Sequence, residues 1–176
     1  MPPARPCVGG VLAAALEMRA HAAAGNDPAA MRALEAAEQI HARLSSDDLA
    51  ASAFGYAESQ LRFHAGDALA RLGDTAAALP VLDRALELCG PDDYTDWAMI
   101  RLGRAACTVC EGDADGGPSY AAETLLALDA PRRQGIIPER GRGLLVALTP
   151  AQRSAKAARE FRILLDDTAG TKEIPA

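Results

Sequence analysis

Cys107 and Cys110 share the CxxC spacing that serves both redox chemistry and zinc binding. A redox role needs that pair at a strand–helix junction, and a structural zinc needs a second pair of ligands. Here the two cysteines lie one turn apart in a helical run, Arg104-Ala-Ala-Cys-Thr-Val-Cys110, and Cys7 and Cys89 make no framework with them. They are expected to pack as small apolar thiols. Glu17 and His21 are four residues apart, and Glu38 and His41 have the Glu-x-x-His spacing of helical two-metal centres. Such centres need two of these motifs and two more carboxylates. No metal and no cofactor are therefore expected. The sequence also has no GxSxG elbow, phosphate-cradling GxxxxGK[ST], GxGxxG or HExxH.

The remaining chemistry is recognition. Trp97 is the only tryptophan; it follows Asp96 and precedes Arg101 and Arg104 at helical spacing. Tyr56, Gln60, Phe63 and Asp67 recur at similar spacing on an earlier segment, with Arg71 one turn further. An aromatic ring beside guanidinium groups suits a peptide carboxylate or an amphipathic ligand. Tyr56, Gln60, Phe63, Asp67, Trp97, Arg101 and Arg104 are the expected ligand-binding residues. The competing reading is that Trp97 and Phe63 fill gaps between helices.

What must position them is a set of helix pairs. Gly66, Gly73, Ala78, Leu82, Ala85 and Gly90 are spaced as in one helix–turn–helix unit: small residues at a close crossing, a glycine at the turn and a second glycine at the stop. Ala30, Leu34 and Ala37 stand at the same offsets from Gly25 as Ala78, Leu82 and Ala85 do from Gly73. Gly25, Gly73 and Gly112 read as equivalent turns, 48 and 39 residues apart, which makes a degenerate array. The fold class expected is all-α, a tetratricopeptide-like solenoid whose first helices line a concave groove. The spacing predicts helices from about Gly10 to Ala24, Asp27 to Leu44, Asp48 to Leu72, Tyr94 to Cys110, Pro118 to Leu128 and Glu139 to Leu148. A closing helix is expected from Pro150 to Leu165, burying Ala155, Ala158, Phe161, Ile163 and Leu164 or Leu165. Residues 1–9 read as a disordered lead, 10–165 as one domain and 166–176 as a frayed tail.

Charge is unevenly spread. Residues 1–130 hold 9 basic and 19 acidic side chains, whereas 131–162 hold 8 basic and 2 acidic ones. A basic segment can meet an acidic partner, but it can equally be a solvated helix face. No aromatics interleave these arginines, so a single-strand stacking platform is not expected. No run of about 18 apolar residues is present, so no membrane span is expected. The opening segment imitates a secretory leader only until Glu17 and Arg19, and a cytoplasmic location is the default.

From Leu44 to Leu165 the sequence resembles the carboxy-terminal sensor half of actinobacterial Xre-type helix-turn-helix transcriptional regulators. The residues that carry the resemblance are DDLAASAFGYAESQLRFHAGDALARLGDT, ALPVLDRALELCGPDDYTDWAMIRLGRAAC, AAETLLALDAPRRQGII and AKAAREFRILL. The resemblance implies a helical domain that responds to a ligand or protein, often as a homodimer, and is joined to a DNA-binding domain. Nothing ahead of residue 44 reads as that DNA-binding domain, so direct DNA binding is not expected. The chain is either a fragment of a larger regulator or a stand-alone sensor. The function expected is a non-enzymatic regulatory module holding a peptide, small molecule or protein partner. The alternatives are an enzyme or accessory protein that reuses the groove as a pocket, and a purely structural dimerisation domain.

Overall fold

A computed structural model of the chain describes residues 6–50, 55–90 and 92–170. Helices account for all of the regular structure among these residues, with no strand. They are α1 (Val8–Ala23), α2 (Asp27–His41), α3 (Glu58–Arg71), α4 (Thr75–Leu88), α5 (Tyr94–Cys110), α6 (Gly116–Leu126), α7 (Ile136–Ala147), α8 (Pro150–Arg153) and α9 (Lys156–Gly170). A single 3-10 turn, Ala130–Arg132, lies between α6 and α7. The chain divides into two compact units, Met1–Cys89 with α1–α4 and Gly90–Ala176 with α5–α9.

Three hairpins, α1/α2, α3/α4 and α5/α6, share one turn chemistry. Gly25, Gly73 and Gly112 have φ of 67°, 83° and 96°, the left-handed region that costs an L-residue most. The amide after each glycine donates back to the helix: Asn26 to His21 O, Asp74 to Leu69 O and Asp113 to Thr108 O, at 2.9–3.2 Å. Together with the glycine amides bonded three residues back, these satisfy the last carbonyls of each first helix. In the first two hairpins that post-glycine residue is also the N-cap of the next helix, whereas in the third Asp113 stands two residues before the N-cap Asp115. Side chains of Asn26, Asp74 and Asp113 accept the amides of Ala29, Ala77 and Gly116. In the first two hairpins, two residues thus end one helix and begin its partner.

Twelve residues apart across each turn, two small or slender positions meet. In the second hairpin they are Gly66 and Ala78, and in the third Ala105 and Gly117; all four are buried. A Cβ on Gly66 would lie 2.5 Å from Leu82 Cδ2 and 2.6 Å from its Cγ. On Gly117 it would collide with Val109 and lie 2.9 Å from the Ala105 carbonyl oxygen. The first hairpin uses Met18 and Ala30, both almost fully buried, at the same offsets. Ala37, Ala78, Leu82 and Ala85 are 0% exposed, as their repeat phase requires.

The second unit adds a motif that the spacing analysis did not find. Pro118–Arg133 and Pro138–Arg153 are echoes offset by twenty residues, centred on Thr-Leu-Leu-Ala-Leu and Leu-Leu-Val-Ala-Leu. Each helix ends in a short capped turn: Asp129 accepts the Arg132 amide and Thr149 the Gln152 amide. Each turn then returns an arginine to the preceding helix. Arg133 donates to the Leu128 and Leu126 carbonyls at 2.8 and 3.2 Å, and Arg153 to those of Leu148 and Val146 at 2.9 and 3.4 Å. A guanidinium there also meets the negative end of the helix dipole. Helix α9 packs against both α6 and α7 through Ala158, Phe161 and Leu165.

Several expected boundaries move. The long helix from Asp48 is replaced by a turn over residues 46–49, then α3 from Glu58; residues 51–54 lie outside the described ones. Ser45 Oγ donates to Asp48 Oδ2 at 2.7 Å, and the Tyr56 amide donates to the Asp48 carbonyl at 2.7 Å, closing a loop where the helix was expected. The α3 start is set by Gln60, whose Oε1 accepts the Ala57 amide. The closing helix is split into α8 and α9, with Thr149 capping the first turn, so Ala155 precedes α9. Ile163 is 60% exposed rather than core, because it lies opposite Phe161 and Leu165 on α9. Helix α1 already includes Val8 and Gly9, and α9 runs on to Gly170; residues 1–5 and 171–176 of the expected lead and tail lie outside the described ones.

Ala78→Leu tests the crossing. It should cost ~1–3 kcal/mol by overpacking, read by thermal or denaturant unfolding, with far-ultraviolet dichroism still purely helical. An unchanged melting temperature would place Ala78 away from a crossing.

Candidate functional site

The seven candidate residues divide between the two units. In the first, α3 carries Gln60, Phe63 and Asp67, and Tyr56 precedes it. Tyr56 and Phe63 are core residues, 3% and 6% exposed. Tyr56 packs with Val11, Leu61 and Leu44, and its hydroxyl lies 2.6 Å from His64 Nδ1. Gln60 is half-buried and engaged in capping α3. These three support the site rather than present a surface.

Asp67 is fully buried and works through its neighbours. Its Oδ2 accepts Arg19 Nε from α1 and Arg71 Nε from its own helix, each at 3.1 Å. The two guanidinium-bearing side chains are 31% and 39% exposed, so the acid is sealed while both bases reach solvent. His64 lies one turn before Asp67. Burial and, second, the Arg19 charge lower its pKa from 6.5 to about 4, against the opposing pull of Asp67. The ring is therefore neutral at pH 7. Neither Arg19 nor His64 was among the expected site residues: Arg19 comes from α1, and His64 is next to Phe63 on α3, off the spacing that linked Gln60, Phe63 and Asp67.

In the second unit, α5 presents Trp97, Arg101 and Arg104, all half-buried. The Arg101 guanidinium lies 4.9 Å from the Trp97 ring centroid and 4.0 Å from that of Tyr120 on α6. Its Nε donates to Thr124 Oγ1 at 3.0 Å, and Thr124 in turn donates to the Tyr120 carbonyl. Arg104 donates to the Tyr120 hydroxyl at 3.0 Å. The structure thus brings the three predicted residues together and adds Tyr120 and Thr124, which a helix-by-helix reading misses because they come from the second helix of the hairpin. A stacked, single-anchored guanidinium keeps its plane fixed with little entropy left to lose on binding.

The other candidates do not form a chemical site. Cys107 is buried, and burial pushes its thiol up to about 11, whereas Cys110 is exposed and not part of the core. Glu38 pairs with Arg62 at 3.1 Å, and His41 stacks edge-on against Tyr56. No group of three or more metal-ligating side chains is found among the described residues. The basic segment is largely engaged: Arg133, Arg142, Arg153 and Arg159 all donate to backbone carbonyls. No helix among the described residues is long and apolar enough to cross a membrane.

Residues 59–106, spanning α3, α4 and most of α5, match the family model of the tetratricopeptide repeat. With the all-helical structure this defines a protein with a tetratricopeptide-like domain, the fold class expected from the spacing of its glycines and alanines. No curated protein and no solved structure is significantly similar to the chain.

Asp96, in the first turn of α5, gives a pH test. Burial first, then the Asp93 charge and a hydrogen bond to Asp93, raise its pKa from 3.8 to about 6. The folded carboxyl keeps its proton where the unfolded one has lost it, so stability falls as pH rises from about 4 through 6. Asp96→Asn should remove that fall and stabilise the protein at pH 7 by ~1 kcal/mol, after allowance for partial solvent screening. Parallel melting temperatures for both proteins from pH 4 to 7 would exclude Asp96 as the source.

Proposed function

We propose that the chain is a non-enzymatic, regulatory binding module of the cytoplasm that holds a peptide, small molecule or protein partner on the first helices of its hairpins. The observation that carries this reading is Arg101, clasped between Trp97 and Tyr120 and anchored by Thr124. Aromatic and guanidinium groups of this kind dominate binding energy at interfaces. Tetratricopeptide repeats commonly serve protein–protein interaction, which agrees with it. A sensor half of an Xre-type regulator, acting as a homodimer, is the context that the sequence resemblance favours.

The alternative, an enzyme or accessory protein with a small-molecule pocket, finds less support. An apolar cleft in the first unit, lined by residues including Met18, Met31, Leu34 and Leu72, has no room for even a water molecule. Small-molecule sites usually need ~300–1,000 Å³.

Partner capture from cell extract on immobilised protein, compared with the Trp97→Ala variant, tests the module. The variant should lose its specific partners by at least tenfold while its melting temperature stays near wild type. A variant that retains its partners, or one that loses ~3–5 kcal/mol as a buried tryptophan would, would refute the assignment of Trp97 to the binding surface.

A further inference from the structure

We infer that the first unit pairs with a second copy of this chain through the outward face of α1, the two helices running antiparallel. This gives the homodimer of the preceding reading a surface, and rests on that reading.

Helix α1 has no polar side. Val11, Ala14, Ala15, Met18 and Ala22 are buried, and the helix packs against α2 and α3. At about 3.6 residues per turn the opposite face carries Gly9, Leu12, Ala13, Leu16, Ala20 and Ala23. All six are exposed, Leu12 by 39% and Leu16 by 50%. No charge interrupts this face. Glu17, Arg19 and His21 lie at its margins, Glu17 paired with His21 at 3.6 Å and Arg19 with Asp67. Helix α2 shows the ordinary pattern instead, with Arg32, Glu35 and Glu38 exposed. A helix apolar on every side belongs between two packing partners, and the unit supplies only one.

Gly9 is unexplained within the unit. Gly66 and Gly117 are hemmed in by neighbours that leave no room for a Cβ, whereas a Cβ on Gly9 would meet nothing within 4 Å. Its φ is not positive either, so no turn and no crossing inside the unit asks for glycine there. A second helix backbone passing close by does.

Spacing then selects the occupant. Gly9, Ala13, Leu16, Ala20 and Ala23 alternate by four and three residues, the seam of a two-helix coil. A twofold axis beside residues 14 and 15 sets Leu16 against Ala13 of the second copy and Ala20 against its Gly9, and the reverse. Each layer joins a leucine to an alanine or an alanine to a glycine, which repeats the crossing chemistry of the hairpins. A parallel pair would instead stack Leu16 on Leu16 next to a hollow Ala13 layer. The antiparallel axis also offsets the two Glu17 side chains by about 7.5 Å along the seam. With 16 residues, α1 is about 24 Å long, so the pair buries on the order of 1,000 Å² in total. That exceeds the ~800 Å² of casual contacts and falls short of the ~1,600 Å² of a standard interface, which makes the dimer reversible.

Sedimentation equilibrium of the full chain, with reductant present because Cys7 is exposed, reads the association directly. The expected result is a monomer–dimer equilibrium at micromolar to millimolar concentration. Leu16→Glu and, independently, Ala13→Glu should each weaken it at least tenfold. Both positions face solvent in the single chain, so dilute samples should keep the wild-type helical signal and melting temperature; if one variant misfolds, the other decides. Leu126→Glu, at an exposed leucine of the second unit, should dimerise as wild type does. A chain that stays monomeric throughout overturns the proposal, as does a dimer that the α1 variants leave intact or an assembly that grows past two copies. If a monomeric chain captures another protein that Leu16→Glu loses, the face belongs to that partner and self-pairing is likewise overturned. Trp97→Ala should dimerise normally, so loss of partner capture reports on the module and loss of the dimer on α1.

Discussion

Two helix backbones can run close together only where neither carries a large side chain at the point of approach, and this protein depends on that condition. At Gly66–Ala78 and Ala105–Gly117 the crossing leaves no room for one more carbon without displacing Leu82, Val109 or a carbonyl. Close approach lets short, alanine-rich helices bury nearly all of their inner faces, although aromatic residues make up only 4% of the chain. Dispersion attraction between closely spaced backbones takes the place of the large apolar side chains that other cores use. The binding residues inherit their geometry from it, since Arg101 meets Tyr120 and Thr124 only because α5 and α6 are held together.

Much of this was legible from residue types. The three turn glycines could be read from their spacing, whereas the capping role of the Asn or Asp after each, an equally local device, was not singled out. The bounds of α5 were likewise fixed by Asp93 at one end and Gly112 at the other. What escaped was decided at a distance. The loop before α3 forms because Tyr56 buries its ring against α1 and bonds the Asp48 carbonyl, which no propensity for helix can anticipate. Ile163 looked like core because the closing helix was phased as one piece from Pro150; the break at Ser154 reset its face. On the candidate site, α5 could be read by spacing, but the partners from α6 and α1 could not. A side chain from another helix leaves no periodic trace on the first.

The arginines illustrate how composition can mislead when read without position. The segment 131–162 is strongly basic, which invites thoughts of an acidic partner. In the folded chain four of its arginines close the carbonyl ends of helices or brace a neighbouring helix, spending their donors on the backbone. The twenty-residue echo makes the rule explicit, because Arg133 and Arg153 do the same work at equivalent places. By contrast, Arg19, Arg71 and Arg101 lie in an acidic stretch and donate from Nε to side chains, to Asp67 in the first two and to Thr124 in the third. Local bonding, not net charge, shows what each guanidinium group does in the folded chain.

Because each reversal is encoded by two adjacent residues, the hairpins have consequences for how the chain acquires its structure. The contacts of α1 with α2, α3 with α4 and α5 with α6 join segments that are neighbours in sequence, so little chain entropy is lost in closing them. Such local pairing belongs to proteins that fold in microseconds to milliseconds. Longer reaches join α1 to α3, α5 to α7 and, furthest, α9 back past α7 to α6. As the nascent chain emerges, three hairpins can be complete before the surface of α6 is covered. Until synthesis reaches Phe161 and Leu165, the faces of α6 and α7 that α9 covers stay open to solvent.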